Sequence, residues 1–137
     1  MKPIYTTDEN DCLRCCLATI LELPIEIVPD FFNGYRFHHT QFQAVDKWLT
    51  QYGYMTIELN YNEWVEAIKE FRSLAIVTGI PLHKAHLKSA RGHAVVVRGN
   101  KIVYDPEQKM KSIQEFSINH FINIHLFVKL NPKLELK

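Results

Sequence analysis

The sequence predicts an α+β domain, with N-terminal helices packed on an antiparallel sheet supplied by the second half of the chain. Three observations carry this. Apolar residues recur at helical spacing through residues 12–21 and 40–52. Short apolar runs of strand length dominate from Leu74 onward, and turn residues such as Arg98-Gly99-Asn100 join two of them closely enough for a hairpin. The 137 residues suffice for one core and hold no repeat, low-complexity stretch or linker, so residues 1–137 are read as a single domain.

The first helix opens at Asp11 or Cys12, where Asn10 or Asp11 can cap it, and Leu13, Cys16, Leu17, Ile20 and Leu21 form its apolar stripe. Pro24 ends it. Residues 25–32 fit a short second helix before Asn33-Gly34 breaks the chain. Residues 40–52 form a third, with Phe42, Val45, Trp48 and Leu49 on one face and Gly53, tolerant of positive φ, as its terminator. Residues 54–59 alternate as a strand that puts Met55, Ile57 and Leu59 on one side, and residues 61–71 return to helical spacing through Trp64, Ile68 and Phe71. Trp48 and Trp64 both fall on apolar helix faces, where core packing accounts for them. Residues 74–78 are a continuous apolar strand. A polar loop from Gly79 to Gly92 leads to strands at 93–97 and 101–105. A short helix over 112–118 precedes the last strand, at 121–130.

Composition narrows the function. Hydrophobic residues make up 47% of the chain and charged residues 23%, as expected of a folded soluble protein. The net charge of +1, from 16 basic against 15 acidic side chains, gives no basic footprint for nucleic acid and no attraction to an anionic membrane. A neutral substrate, small or proteinaceous, is expected. Met1-Lys2-Pro3 leads into polar residues without the apolar core of a signal peptide, and no run reaches membrane-spanning length. The cysteines crowd into Cys12, Cys15 and Cys16, an odd cluster ill-suited to a disulfide framework, so a cytoplasmic location is expected.

Cys12 stands where a helix begins. Unpaired amides and the helix dipole favour a thiolate there, which is the nucleophilic form, provided an imidazole lies within reach. The competing reading is a buried small hydrophobe, which fits Cys16 on the apolar stripe and Cys15 beside it. Cys12-x-x-Cys15 also has metal-ligand spacing, but no second pair completes a zinc site. His38-His39, or His83 with His86, are not tied to it, so no metal is expected. A redox use of the same spacing lacks its βαβ context.

The hairpin Gly92–Pro106 carries the second half of the signal. His93 and Asp105 stand at the outer ends of an otherwise apolar pair of strands. A three-residue loop pairs Val97 with Lys101 and sets His93 opposite Asp105 on one face. A two-residue turn at Gly99-Asn100 pairs Arg98 with Lys101 and puts the two side chains on opposite faces. The first register, or a bulge of the same parity, is expected. Asp105 then fixes the tautomer of His93 and leaves the other ring nitrogen for a thiol. The plainer alternative is a solvated strand end with Asp105-Pro106 as a turn. The loop cations Lys84, Lys88 and Arg91 could meet an acidic group on a substrate, although such a run is more often a solvated loop.

The stretch from Thr6 through Asp11-Cys12-Leu13-Arg14 to Ala18 resembles the cysteine motif of the bacteriocin-processing peptidase domains of ABC exporters. Together with His93-Ala94-Val95-Val96 and Asp105-Pro106, the chain resembles small phage and bacterial papain-like proteins still more closely. The resemblance covers roughly the first thirty residues and positions 74–107. It implies a papain-like fold and a Cys–His–Asp triad for peptide or amide bonds, with Cys12 as nucleophile, His93 as general base and Asp105 as orienting carboxylate, and no cofactor. The exporter domains carry Gln six positions before the cysteine and Gly just after it, where this chain has Thr6 and Leu13. Thr6 and Asn10 are the candidates to replace the oxyanion donor, whose loss costs about a hundred- to a thousandfold in turnover. The same constellation serves transglutaminases, deamidases and acyltransferases. A papain-like binding module without catalysis, such as a phage-type inhibitor, is the rival reading.

Overall fold

Helix α1 spans Cys12–Leu21 and buries Cys12, Cys15, Cys16, Leu17, Ala18 and Thr19. A computed structural model of the protein describes this helix within residues 11–31, 38–61, 72–86, 92–99 and 101–130. At its C-terminus Glu22 adopts the left-handed conformation (φ 55°), so that Leu23 N–H donates to Ala18 O at 2.9 Å, and Pro24 then prevents continuation. At its start Asp11 occupies the N-cap position but makes no capping bond. Its carboxylate lies 3.4 Å from Arg14 Nη1 instead. Arg14 also donates from Nε to Val28 O and from Nη2 to Ile25 O, both at 3.0 Å, which ties the following loop to the helix.

That loop corrects the expectation of a helix over 25–32. A single 3-10 turn forms at Ile25–Ile27, and Val28 leaves it extended at ψ 122°. Val28 precedes Pro29, whose ring disfavours helical geometry in the residue before it and whose nitrogen donates nothing.

Helix α2 (His38–Leu49) runs into a 3-10 turn at Thr50–Tyr52 and stops at Gly53 (φ 82°), where the glycine was expected to end it. Strand β1 (Tyr54–Asn60) returns along α2, and Asp46 Oδ1 accepts from Thr56 N at 2.8 Å and Thr56 Oγ1 at 2.7 Å. Thr56 is therefore buried against the helix while Met55 and Ile57 face outward. The expected helix over 61–71 lies outside the described residues, apart from Tyr61.

Strands β2 (Leu74–Gly79), β3 (His93–Arg98), β4 (Lys101–Tyr104) and β5 (Ile122–Lys129) complete a five-stranded sheet in the order β1-β5-β2-β3-β4. Each neighbouring pair is antiparallel, so the architecture is α+β with the last strand inserted between β1 and β2. Leu17, Phe42, Val45 and Leu49 of the helices pack on Ile76, Ala94, Val96 and Phe127. A second layer joins Ala75, Val77, Val95, Val97 and Ile124 to Met110, Ile113 and Phe116. Residues of β3 enter both layers, which explains its unbroken apolar run.

Residues 112–118 also differ from expectation. Only Ile113–Glu115 turn, as a 3-10 element whose start is fixed by reciprocal Ser112 and Glu115 bonds. Phe116 then bridges to Pro81, and Ser117 N–H donates to Ile80 O at 2.7 Å, so pairing with the end of β2 replaces helix. Gly79 makes this approach possible: a Cβ there would stand 2.9 Å from Phe116 Cδ1 and 3.2 Å from Phe121 O. No helix among the described residues is long and apolar enough to cross a membrane.

A cysteine–histidine–aspartate candidate active site

Three elements deliver the expected triad. Cys12 is the first residue of α1, His93 the first residue of β3, and Asp105 the residue after β4. Cys12 Sγ lies 3.2 Å from His93 Nδ1, and His93 Nε2 lies 2.6 Å from Asp105 Oδ1. All three residues are buried. Thr6 and Asn10, the candidate oxyanion donors, lie outside the described residues.

The hairpin reaches this geometry by a different register from the one expected first. Arg98 pairs with Lys101 across a tight turn with Gly99 at φ 62°, the arrangement that would have separated the two side chains. A bulge then intervenes: Val97 pairs with Ile102 but Val96 with Tyr104, leaving Val103 as the extra residue. The bulge restores the parity. Beyond Tyr104 the strand gives way to a turn in which Gln108 N–H donates to Asp105 O at 3.0 Å.

That turn also builds the carboxylate's cradle. Asp105 Oδ1 accepts from Glu107 N at 2.9 Å, and Oδ2 accepts from Lys109 N at 2.9 Å and Met110 N at 2.8 Å. Burial pushes the Asp105 carboxyl upward. The hydrogen bond and charge of His93, with the Glu107 and Met110 amides, outweigh it and hold the group well below the usual carboxylate range. An ionised Asp105 accepts at Nε2, so the proton of neutral His93 sits on Nε2 and Nδ1 faces the sulfur as a base.

The thiol is not in the state expected of a helix start. Burial, then the charge of Glu107, push Cys12 up to about 12. A backbone hydrogen bond from Ala94 and the charge of Lys84 act in the opposite sense without prevailing. Desolvation of an anion thus overrides the helix dipole. Cys15 is pushed up to about 11, by burial and then Asp11, and Cys16 is pushed well above the ordinary value, chiefly by burial. Cys16 donates from Sγ to Ala94 O at 3.4 Å, so both cysteines pack, as expected.

Two charged residues stand beside the pair, Glu107 unforeseen by the sequence reading and Lys84 in a role other than the one expected. Glu107 Oε2 lies 3.3 Å from His93 Nδ1, and Lys84 Nζ lies 3.0 Å from the same oxygen. Lys84, read as a loop cation for a substrate, is instead buried and paired within the chain. A clue to Glu107 exists only once the bulge is known, because the Val96–Tyr104 register, carried outward, runs His93 against Glu107. Cys12, His93 and Glu107 bring metal-binding atom types within 4.8 Å of one another. Lys84 already supplies the cation that Glu107 faces, so the cluster has the makings of a proton-transfer site.

His83 and His86 are both exposed. His120 is exposed and its Nδ1 bonds Ser117 Oγ at 2.8 Å. His125, in β5, stacks on Phe42 with ring centroids 3.4 Å apart. A depression of about 200 Å³ opens beside Asp105, but its lining includes neither Cys12 nor His93. Comparison with protein-family models finds no match for the chain, and comparison with curated proteins finds none.

Proposed function

We propose that the protein is a papain-like cysteine hydrolase acting on a peptide or amide bond, with proteins among its possible substrates. One observation carries the reading: the continuous chain from Cys12 Sγ to His93 Nδ1 and from His93 Nε2 to a fully hydrogen-bonded Asp105. A structural cysteine has no use for an imidazole oriented by a carboxylate in this way.

Because Cys12 rests as a thiol, its proton passes to His93 Nδ1 as Sγ attacks the carbonyl carbon, so the base acts during the attack rather than before it. The new C–S bond pushes the carbonyl electrons onto oxygen. The amide of Cys12, in the first turn of α1 where helix N–H groups have no partner within the helix, is the candidate donor to that oxyanion, and Thr6 or Asn10, outside the described residues, are the others the sequence offers. Collapse breaks the C–N bond as His93 gives its proton to the leaving amine. Water, deprotonated by His93, then cleaves the thioester and restores the thiol. These steps call on no metal or organic cofactor, and the even charge balance fits a substrate that is neither nucleic acid nor membrane.

The rival reading, a binding module on the same fold, draws on the burial of the sulfur: Cys12 is 3% exposed. Mass spectrometry of the intact protein after incubation with activated esters and peptide amides separates the two. The hydrolase reading expects an acyl adduct on Cys12 that is lost in Cys12→Ser and fails to form in His93→Ala. A protein that stays unacylated across the panel, or acylates equally well without His93, is not this hydrolase.

A further inference from the structure

Glu107 and Lys84 form a buried ion pair beside the triad, yet no step above uses them. Glu107 Oε2 and Oε1 lie 3.0 and 3.4 Å from Lys84 Nζ, and the two side chains are 7% and 10% exposed. They arrive on separate elements. Lys84 closes the 3-10 turn at Leu82–Lys84, held by its own N–H bond to Pro81 O at 2.9 Å, and Glu107 sits in the turn after β4. Desolvating two charges costs about as much as their attraction returns, so stability alone does not account for the pair.

Its position does. In the cationic ring a second proton, on His93 Nδ1, meets two acceptors, Cys12 Sγ at 3.2 Å and Glu107 Oε2 at 3.3 Å, and the attack described above starts once the ring has given that proton up to solvent. The carboxylate oxygen is the stronger acceptor of the two. While it holds that proton, His93 cannot receive the one on the thiol. The negative charge of Glu107 also opposes a second negative charge on the sulfur.

We propose that Glu107 is a positioning residue that holds the Cys12–His93 pair in its protonated, resting form, and that Lys84 limits this hold by drawing the carboxylate toward itself. The brake deepens the hydrolase reading and rests on it: a thiol kept protonated in the empty site is inert to stray electrophiles and oxidants. Among the described residues, the charged and titratable groups around the sulfur are His93 on β3, Tyr104 on β4, Asp105 and Glu107 in the turn, Lys84 on its 3-10 turn, Asp11 at the N-cap position, and Arg14, Cys15 and Cys16 on α1.

The test is the rate of iodoacetamide alkylation at Cys12 against pH, read by peptide mass on the full chain. Glu107→Gln lowers the midpoint by about one pH unit, a roughly tenfold faster reaction at neutral pH. Lys84→Met slows the reaction over the same range. Adding His93→Ala to Glu107→Gln removes the gain. Should Glu107→Gln not fold, Glu107→Asp, with its carboxylate drawn back from Nδ1, shifts the midpoint in the same direction by less. A folded Glu107 variant with an unchanged profile overturns the proposal, as does a gain that persists without His93. The readout needs no substrate. Unchanged alkylation beside intact acyl capture defeats the brake alone, and a shifted profile in a protein that never acylates defeats the hydrolase reading alone.

Discussion

His93 Nε2 and Asp105 Oδ1 meet at 2.6 Å although the ladder between β3 and β4 never pairs their residues. The last pair is Val96 with Tyr104. From there the carboxylate is delivered by a turn whose amides it organises itself, through the N–H groups of Glu107, Lys109 and Met110. Asp105 thus shapes the loop and orients the imidazole at once.

Asp105→Asn tests that double duty. Both carboxylate oxygens accept amide protons, and an Asn side chain can present an oxygen to only one set while its NH₂ confronts the other. The expected cost is about 1–3 kcal/mol at neutral pH by urea denaturation. It has a pH signature. The folded carboxyl lies below its unfolded value of about 3.9, so the wild type's extra stability is complete above roughly pH 5 and drains as pH falls through 4. The difference between wild type and variant should narrow between pH 7 and pH 3. A difference independent of pH would mean that the carboxylate's charge is not what holds the turn.

Arg14, part of the Asp-Cys-Leu-Arg stretch, belongs to the scaffold. Its guanidinium donates to the carbonyls of Val28 and Ile25 and lies beside Asp11, pinning the loop after α1 to the helix that carries Cys12. Arg14→Met should cost about 1–2 kcal/mol, less than a buried site because the side chain is 23% exposed. Arg14→Lys should recover under half of that, since a single ammonium cannot span both carbonyls in a fork. Full recovery with lysine in a denaturation series would show that charge, not geometry, is what the position supplies.

Both elements of the candidate site were legible in the sequence because both signals are local. A helix beginning at Asp11 or Cys12 follows from apolar spacing, although Asp11 at its N-cap position makes no capping bond, and the even separation of His93 and Asp105 makes same-face placement a question of parity alone. Two things stayed hidden. The bulge at Val103 has no residue signature, and it alone carries Glu107 toward His93. Lys84 is buried in a turn that follows residues 80–81, and these pair with 116–117, a contact between segments far apart in the chain. The same pairing explains why residues 112–118 do not complete a helix. The protonated state of Cys12 was missed for a further reason, since its burial among α1, β3 and Glu107 is a tertiary quantity that a helix-start rule does not contain.

The packed thiols make alkaline stability informative. Cys16 is fully buried and its thiol is held well above its ordinary value, whereas the unfolded chain ionises it near pH 8.5. The unfolded state then binds fewer protons than the folded state, so stability falls as pH rises from there toward the folded value. Each such thiol contributes up to about 1.4 kcal/mol per pH unit across that window. Cys16→Ala should therefore show a shallower decline between pH 8.5 and 10 than wild type, measured by urea denaturation at fixed ionic strength. Parallel declines would place the alkaline sensitivity elsewhere.

Gly79 joins the site to the second core layer. It pairs with His93 in the β2–β3 ladder, and it lets the Phe116 ring and the Phe121 carbonyl close on the end of β2. A Cβ at 2.9 Å from Phe116 Cδ1 demands movement of a ring that is 1% exposed, or of the backbone at Phe121. Gly79→Ala should cost about 1–3 kcal/mol through overpacking, with little change in the urea m-value. Phe116→Leu on its own leaves a partial void, but in the Gly79→Ala background it relieves the clash, so the double variant should be more stable than the sum of the single losses by about 1 kcal/mol. Strict additivity would mean that the ring is not what the added methyl meets, and that Gly79 is set by its strand rather than by the wall behind His93.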